Sequence, residues 1–151
     1  MTVTLSVICK DEINDIDRLI HDYVDYFDEL HFAIDDQKVF DDCSEDYKDN
    51  KNIKFFKYEW INDFAHKRNW LADKCKTDYY FTIDADDVIE HPETIRDVAK
   101  KADAEKLNIV FGFYHYGFDN DGNCCAAHWK ERLVKNTPNL RWNKKIHENI
   151  I

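Results

Sequence analysis

Strand-like and helix-like stretches alternate along most of this chain, and that alternation restricts the fold more than any other feature. "TVTLSVIC" sets Val3, Leu5 and Val7 in strict alternation, the mark of a β-strand. "DEINDIDRLIHDYVDYFDEL" then places Ile13, Ile16, Leu19, Ile20, Val24 and Phe27 at helical spacing. "LHFAI" (30–34) and "IKFFKY" (53–58) read as further short strands. Between them "DDQKVFDDCSEDYKDNKN" (35–52) is acidic and weakly periodic, which predicts a loop with a helical turn. "NDFAHKRNWLADKC" (62–75) opens on Asn62, a good N-cap residue, and sets Phe64, Leu71 and Cys75 on one helix face. A strand follows over 79–83, and Pro92 then opens "PETIRDVAKKA", a helix with proline in its permitted first turn.

Alternation up to about residue 103 is the signature of a doubly wound, largely parallel sheet. Beyond it, "NIVFGFYHYGF" and "CCAAHWKERLVK" flank "DNDG", which predicts an antiparallel hairpin. "DNDG" has a superficial likeness to a calcium loop. With Gly122 at the loop's glycine position, Gly117 and His128 fall at its first and last ligand positions, and neither suits. The length, 151 residues, fits one domain over 1–151 with a real core. Hydrophobic content of 44% and aromatic content of 15% argue against global disorder.

Charge and cysteines exclude several functions. A net charge of −10 lacks the basic footprint that nucleic acid requires. Cys9, Cys43, Cys75, Cys124 and Cys125 contain no CxxC pair, so neither a zinc knuckle nor a disulfide framework is expected. That usage fits a reduced, cytoplasmic compartment. The first residues lack the apolar length of a signal peptide, and no stretch is long enough to span a membrane.

The chemistry concentrates in "YYFTIDADDVIE" (79–90), an apolar strand that breaks into Asp84, Asp86, Asp87 and Glu90. Carboxylates this close repel one another and call for a positive partner. They also stand at the carboxyl end of a strand, where open α/β sheets bind ligands. The chain's glycines, Gly112, Gly117 and Gly122, all lie outside the α/β half, which excludes a dinucleotide fingerprint and a P-loop. A nucleotide diphosphate would therefore need another source of neutralisation. A divalent cation on the DAD carboxylates would serve, since Mg²⁺ typically takes one or two carboxylates plus substrate phosphates. The plainer reading is an acidic strand end that caps the next helix.

In order along the chain, "VICKDE", "AIDD", "NDFAHKRNWLADKCKTDYYFTIDADD" and "ERLVKNTPNLRWNKKIHENI" resemble the motifs of family 2 glycosyltransferases. The likeness is greatest to a short bacterial and phage subset. The resemblance implies a GT-A-like, Rossmann-like sheet flanked by helices, and sugar transfer from a UDP-sugar to a glycan, lipid or protein hydroxyl, with inversion. It implies that Asp35 meets the base, that Glu12 lies beside the nucleoside and that Arg68 helps fix the nucleotide pocket. Asp84 would reach the ribose or the metal, and Asp86 would ligate Mn²⁺ or Mg²⁺. His147 would be a further metal or phosphate ligand, and Glu148 the base that deprotonates the acceptor.

Each assignment has a plainer counterpart. Arg68 also reads as a surface ion pair, His147 as packing under the sheet, and Trp142 as core. Lys130, Arg132, Lys135, Arg141, Lys144 and Lys145 read as solvated charge or as contacts to an anion. The chain departs from the family pattern in "DDQKVFDD", where relatives carry small residues, and it stops just past His-Glu. It is therefore expected to be a minimal enzyme or one truncated on the acceptor side. Two rivals share the motif: a degenerate domain that binds nucleotide without turnover, and a haloacid-dehalogenase-type phosphatase using Asp84 and Asp86.

Overall fold

The computed structural model describes residues 1–151. Its centre is β1 (Val3–Cys9), buried along its whole length because both faces are covered. β1 pairs in parallel with β2 (Glu29–Ile34) on one side and β4 (Tyr79–Asp84) on the other, and β3 (Ile53–Lys57) lies outside β2. The predicted parallel α/β sheet is thus present. Helix α1 (Ile13–Tyr23) turns Ile16, Leu19, Ile20 and Tyr23 onto one face of it. A short 3-10 turn at Pro92–Thr94 leads into α4 (Ile95–Ala104), which adds Ile95, Ala99 and Ala102 to the same core. Helix α3 (Phe64–Ala72) covers the opposite face, where Leu71 meets Ile8, Ala33 and Tyr58.

The order of the six-stranded sheet is β3-β2-β1-β4-β6-β5. The chain winds outward from β1 to β3, then crosses back to β4. That reversal opens a crevice at the carboxyl ends of β1 and β4. The hairpin closes the far side as β5 (Ile109–Phe118) and β6 (Cys124–Lys135), joined by a turn in which Gly122 takes the positive φ that glycine permits. In the strand ladder β6 pairs with β4 through Leu133, Val134 and Lys135. The rest of the hairpin is an arm that reaches past the sheet. A two-stranded piece, β7 (Trp142–Asn143) with β8 (Asn149–Ile150), packs on α3. Asn69 bonds both the N–H and the carbonyl of Trp142, at 2.8 and 2.9 Å, and Trp142 is core.

Three local expectations change. Residues 37–46 form a full helix, α2 (Gln37–Asp46), where a loop with one turn was expected. Asp36 caps it through the Val39 N–H at 2.9 Å, and its narrow apolar stripe rests Val39, Phe40 and Cys43 on the core. Helix α3 is capped by Asp63 and not by Asn62, whose backbone is left-handed and whose amide oxygen accepts from Trp60 instead. Phe64, expected on the apolar face with Leu71 and Cys75, is exposed, while Lys67 and Arg68 are buried.

The hairpin's anchorage gives a stability test. Leu133, 2% exposed, ties β6 into the main core, whereas Val88 is 71% exposed. Leu133→Ala is expected to cost about 2–5 kcal/mol, at about 2–4 °C of melting temperature per kcal/mol. Val88→Ala should stay within about 0.5 kcal/mol. Thermal melts of both variants check this, and equal midpoints would show that the arm is not fastened through Leu133.

Candidate functional site

The crevice is built around the loop that follows β4. Asp84 and Asp87 close it reciprocally: the Asp84 N–H donates to Asp87 Oδ2 at 3.0 Å, and the Asp87 N–H to the Asp84 carbonyl at 3.1 Å. Two arginines strap it in place. Arg132 of β6 donates to the Thr82 carbonyl at 3.0 Å and stands 3.2 Å from Asp87 Oδ2, with both side chains buried. A register shift beside Arg132 re-aims its side chain. Gly112 makes room for it, because a Cβ there would lie 2.8 Å from Arg132 Cγ. From α1, Arg18 Nη2 donates to the Ala85 and Asp87 carbonyls, each at 3.1 Å. Much of the positive charge the carboxylates called for is therefore supplied by the chain itself.

Arg68 supplies a further share, to Asp84. It is buried on α3, and the surface-pair reading does not hold. Its Nη2 donates to Asp84 at 2.7 Å, its Nη1 to the Thr82 hydroxyl at 3.0 Å and its Nε to Glu148 at 2.6 Å. The guanidinium also lies 5.2 Å from the Trp142 ring. Burial works against the Arg68 charge, but Asp84 and Glu148 outweigh it and hold the pKa above its ordinary value. Burial likewise pushes the Asp84 carboxyl up, and Arg68, helped by Lys130, holds it below the usual range.

Asp86 is the contrasting case. It is exposed and has no cationic partner, and its pKa is raised by partial desolvation and by the charges of Asp87, Asp84 and Asp15. The second oxygen of Asp84 has only Lys130, at 3.9 Å. An unneutralised carboxylate beside a half-satisfied one fits a hard divalent cation. The protein offers no ready cage, for no three His, Cys, Asp or Glu side chains converge. Mg²⁺ completes such a shell with substrate phosphates and water.

The remaining assigned residues divide between two places. His147 is exposed, in a left-handed backbone conformation. It does not pack under the sheet. With Arg68, Asp84, Lys130 and Glu148 it lines a cleft of about 450 Å³. Glu12 and Asp35 sit instead past the ends of β1 and β2. Glu12 folds back to accept the Lys10 and Asp11 N–H groups at 2.6 and 3.1 Å. Asp35 is 2.7 Å from Lys67 Nζ. A larger cleft of about 680 Å³ opens on the other side of Asp86 and Asp87, against β5 and α4.

Two buried cations escaped the sequence reading. Lys67 was not singled out, yet its ammonium donates to Asp35 and the Cys9 carbonyl and lies 5.3 Å from the Tyr58 ring. Arg132, read as solvated charge or as a contact to an anion, is buried against Asp87. Neither carries a distinguishing signal, since Lys67 lies between His66 and Arg68, and Arg132 follows Lys130 and Glu131. Of the other basic residues near the C-terminus, Lys135 pairs with Asp103 and Arg141 with Asp73, while Lys144 and Lys145 are exposed. The phosphatase reading needs Asp84 as a nucleophile on a strand that opens the core. Here Asp84 ends the fourth strand and is clasped by Arg68.

Solved structures share this architecture. S. aureus TarS 1-349 in complex with UDP is 18% identical, with a TM-score of 0.55 over 83% of this chain. This chain spans 38% of the TarS chain. The 4-diphosphocytidyl-2C-methyl-D-erythritol synthase of Anaerococcus prevotii is 11% identical, with a TM-score of 0.52 over 89% of this chain and 70% of its own. CMP:2-keto-3-deoxy-manno-octonic acid synthetase complexed with CTP is 8% identical, with a TM-score of 0.51 over 89% of this chain and 75% of its own. At such identities these neighbours establish the fold, which is GT-A-like. Among curated proteins none matches. No helix is long and apolar enough to cross a membrane. The sequence model of glycosyl transferase family 2 matches residues 4–150, nearly the whole chain, and the protein belongs to that family.

Proposed function

We propose that this chain moves a sugar from a UDP-sugar to a hydroxyl acceptor, with inversion and with a divalent cation, Mn²⁺ or Mg²⁺. The observation that carries this reading is the junction at the end of β4, where Arg68 joins Asp84 to Glu148 and Asp86 is left without a cation. The complex of S. aureus TarS 1-349 with UDP supports the donor. Asp35, beside Lys67, and Glu12 would hold the base and nucleoside at the ends of β2 and β1. Asp84 and Asp86 would hold the ion, with His147 as a further ligand of ion or phosphate. When bound, the ion stabilises the charge that grows on the departing diphosphate.

The chain's own groups do the rest. Arg68 holds one oxygen of Glu148 and leaves the other for the acceptor hydroxyl. The acceptor oxygen bonds to the anomeric carbon as that carbon's bond to the diphosphate oxygen breaks. The electron pair leaves with the diphosphate, and the acceptor proton passes to Glu148. Lys130, at the rim of the same cleft, adds a positive charge near the departing phosphates.

Metal dependence has a direct readout. UDP at about a hundred times its dissociation constant should add about 2.7 kcal/mol of stability. The melting temperature then rises by several degrees, at about 2–4 °C per kcal/mol. Mn²⁺ with UDP should produce that shift, and UDP with EDTA much less. Equal shifts in the two samples would contradict the bridging ion.

The aspartates should separate by variant. Asp86→Asn removes a repelled charge, so the unliganded protein should melt at or above the parental temperature while losing its response to Mn²⁺ and UDP. Asp87→Asn leaves Arg132 buried without its carboxylate and should cost about 3–5 kcal/mol. If Asp86→Asn keeps the response and Asp87→Asn loses it without destabilising the protein, the two roles have been exchanged.

The C-terminal pair is tested by calorimetry together with a transfer assay over a panel of nucleotide sugars. His147→Ala should weaken Mn²⁺-dependent UDP binding. Glu148→Gln should bind UDP like the parent and transfer sugar far more slowly. Parental transfer by Glu148→Gln would remove it as the base. UDP binding without transfer by the parent itself would favour the non-catalytic domain.

A further inference from the structure

The two edges of the six-stranded sheet are built differently. The β3 edge is five residues long, carries Lys54 and Lys57, and has α2 packed on it. Shortness, lysines and a covering helix are means by which an edge strand avoids pairing with another chain. The β5 edge has none of these. It is ten residues long, and Ile109–Phe118 contains neither a charged residue nor a proline. Its strand neighbour is β6, and no strand lies beyond it. Bulges also blunt an edge. Those of β5 fall between Val110 and Phe111 and after His115, so residues 111–115 stay in regular register with 127–131.

Exposed apolar surface is concentrated on the same strand. Phe111, Phe113, Tyr116 and Phe118 are between 49% and 60% exposed. Trp129 of β6, whose ring lies against Phe113, is 66% exposed. An aromatic side chain can bury about 150–250 Å², so these five offer roughly 400–700 Å² per copy. A specific interface takes about 800 Å² from each partner. A main-chain ladder along 111–115 adds its own area to that of the rings.

Charge selects the occupant. The chain carries a net −10, yet residues 109–135 set Asp119, Asp121 and Glu131 against Lys130, Arg132 and Lys135 and are neutral. The acidic stretch 35–52 lies at the other edge, where α2 packs on β3. Two copies that meet at β5 therefore approach through neutral ends and keep their acidic ends far apart. A basic partner would be drawn to the acidic edge instead. An anionic membrane finds no excess of lysine or arginine on the arm, whose tip carries Asp119 and Asp121. A strand paired antiparallel with its own copy is self-complementary about a two-fold axis. With the β3 edge protected, assembly closes at two chains.

We propose that β5 pairs antiparallel with the β5 of a second copy along residues 111–115, joining two sheets into one across a two-fold axis. The exposed rings of each copy then pack beside those of the other as cross-strand neighbours. The pairing does not depend on the transferase reading.

Sedimentation over a range of concentrations tests this, with a reductant present so that the exposed Cys124 and Cys125 do not cross-link. The parent should reach twice the 18.1 kDa of one chain. Phe113→Lys sets two like charges close together across the axis and should weaken the dimer about a hundredfold. Ile61→Lys makes the same charge change at a residue 51% exposed and off the arm, and should keep the parental dimer. Hydrogen exchange of the parent locates the contact independently of any variant: amides within 111–115 should exchange more slowly as concentration rises. The proposal is overturned if the parent is a monomer at every concentration, if a folded Phe113→Lys dimerises like the parent, or if the slowed amides lie outside β5. A monomeric parent that binds phosphatidylglycerol vesicles, and loses that binding in Phe113→Lys, would assign the arm to a membrane surface instead.

Discussion

The buried guanidinium of Arg68 is the interaction on which the rest of this site depends. Its donors reach a hydroxyl within β4, a carboxylate at the end of β4 and a carboxylate just before β8. A buried cation is tolerated only when paired and hydrogen-bonded. Breaking such a pair from one side costs about 3–5 kcal/mol. Arg68 therefore ties α3, β4 and the C-terminal segment into one unit and sets Asp84 and Glu148 at a fixed separation. A planar fork of donors is suited to two carboxylates at once, whereas an ammonium is a single point charge.

Around that centre the aspartates take different parts. Asp84 answers to Arg68, and Asp87 to Arg132 and the turn it closes. Asp86 answers to no cation of the chain, and the neighbouring charges press on it. The straps from Arg18 and Arg132 hold the loop in this arrangement without a ligand. Preorganisation of this kind spares the site a rearrangement when charge arrives. The same straps connect the loop to α1 and to the hairpin.

The parts of this structure that were legible in the sequence are those that follow from periodicity. Val3, Leu5 and Val7 alternate because one sheet face meets α1 and α4, and the apolar run at 79–83 is continuous because β4 is covered on both faces. Asp84 and Asp86 stood out because a buried strand ended on them. The misses have a common cause. α2 rests on a narrow stripe of Val39, Phe40 and Cys43, too thin to stand out against its acidic residues. Lys67 and Arg68 occupy the buried face of α3, so the helix lost its polar–apolar contrast there and Phe64 was put on the wrong side. The burial of Arg132 is not legible because one sequence does not reveal that Gly112 makes room for its side chain. The cap falls on Asp63 and not on Asn62 because the Asn62 backbone is left-handed, which composition does not encode.

The central claim is that the crevice between the ends of β1 and β4 holds a nucleotide diphosphate through a cation on Asp84 and Asp86. Anomalous diffraction from crystals grown with UDP and Mn²⁺ tests it most directly. The account predicts one manganese peak within bonding distance of Asp84 or Asp86 and of both phosphates, with the uracil beside Asp35. A manganese peak elsewhere on the chain, or UDP seated away from the β1–β4 crevice, would contradict it.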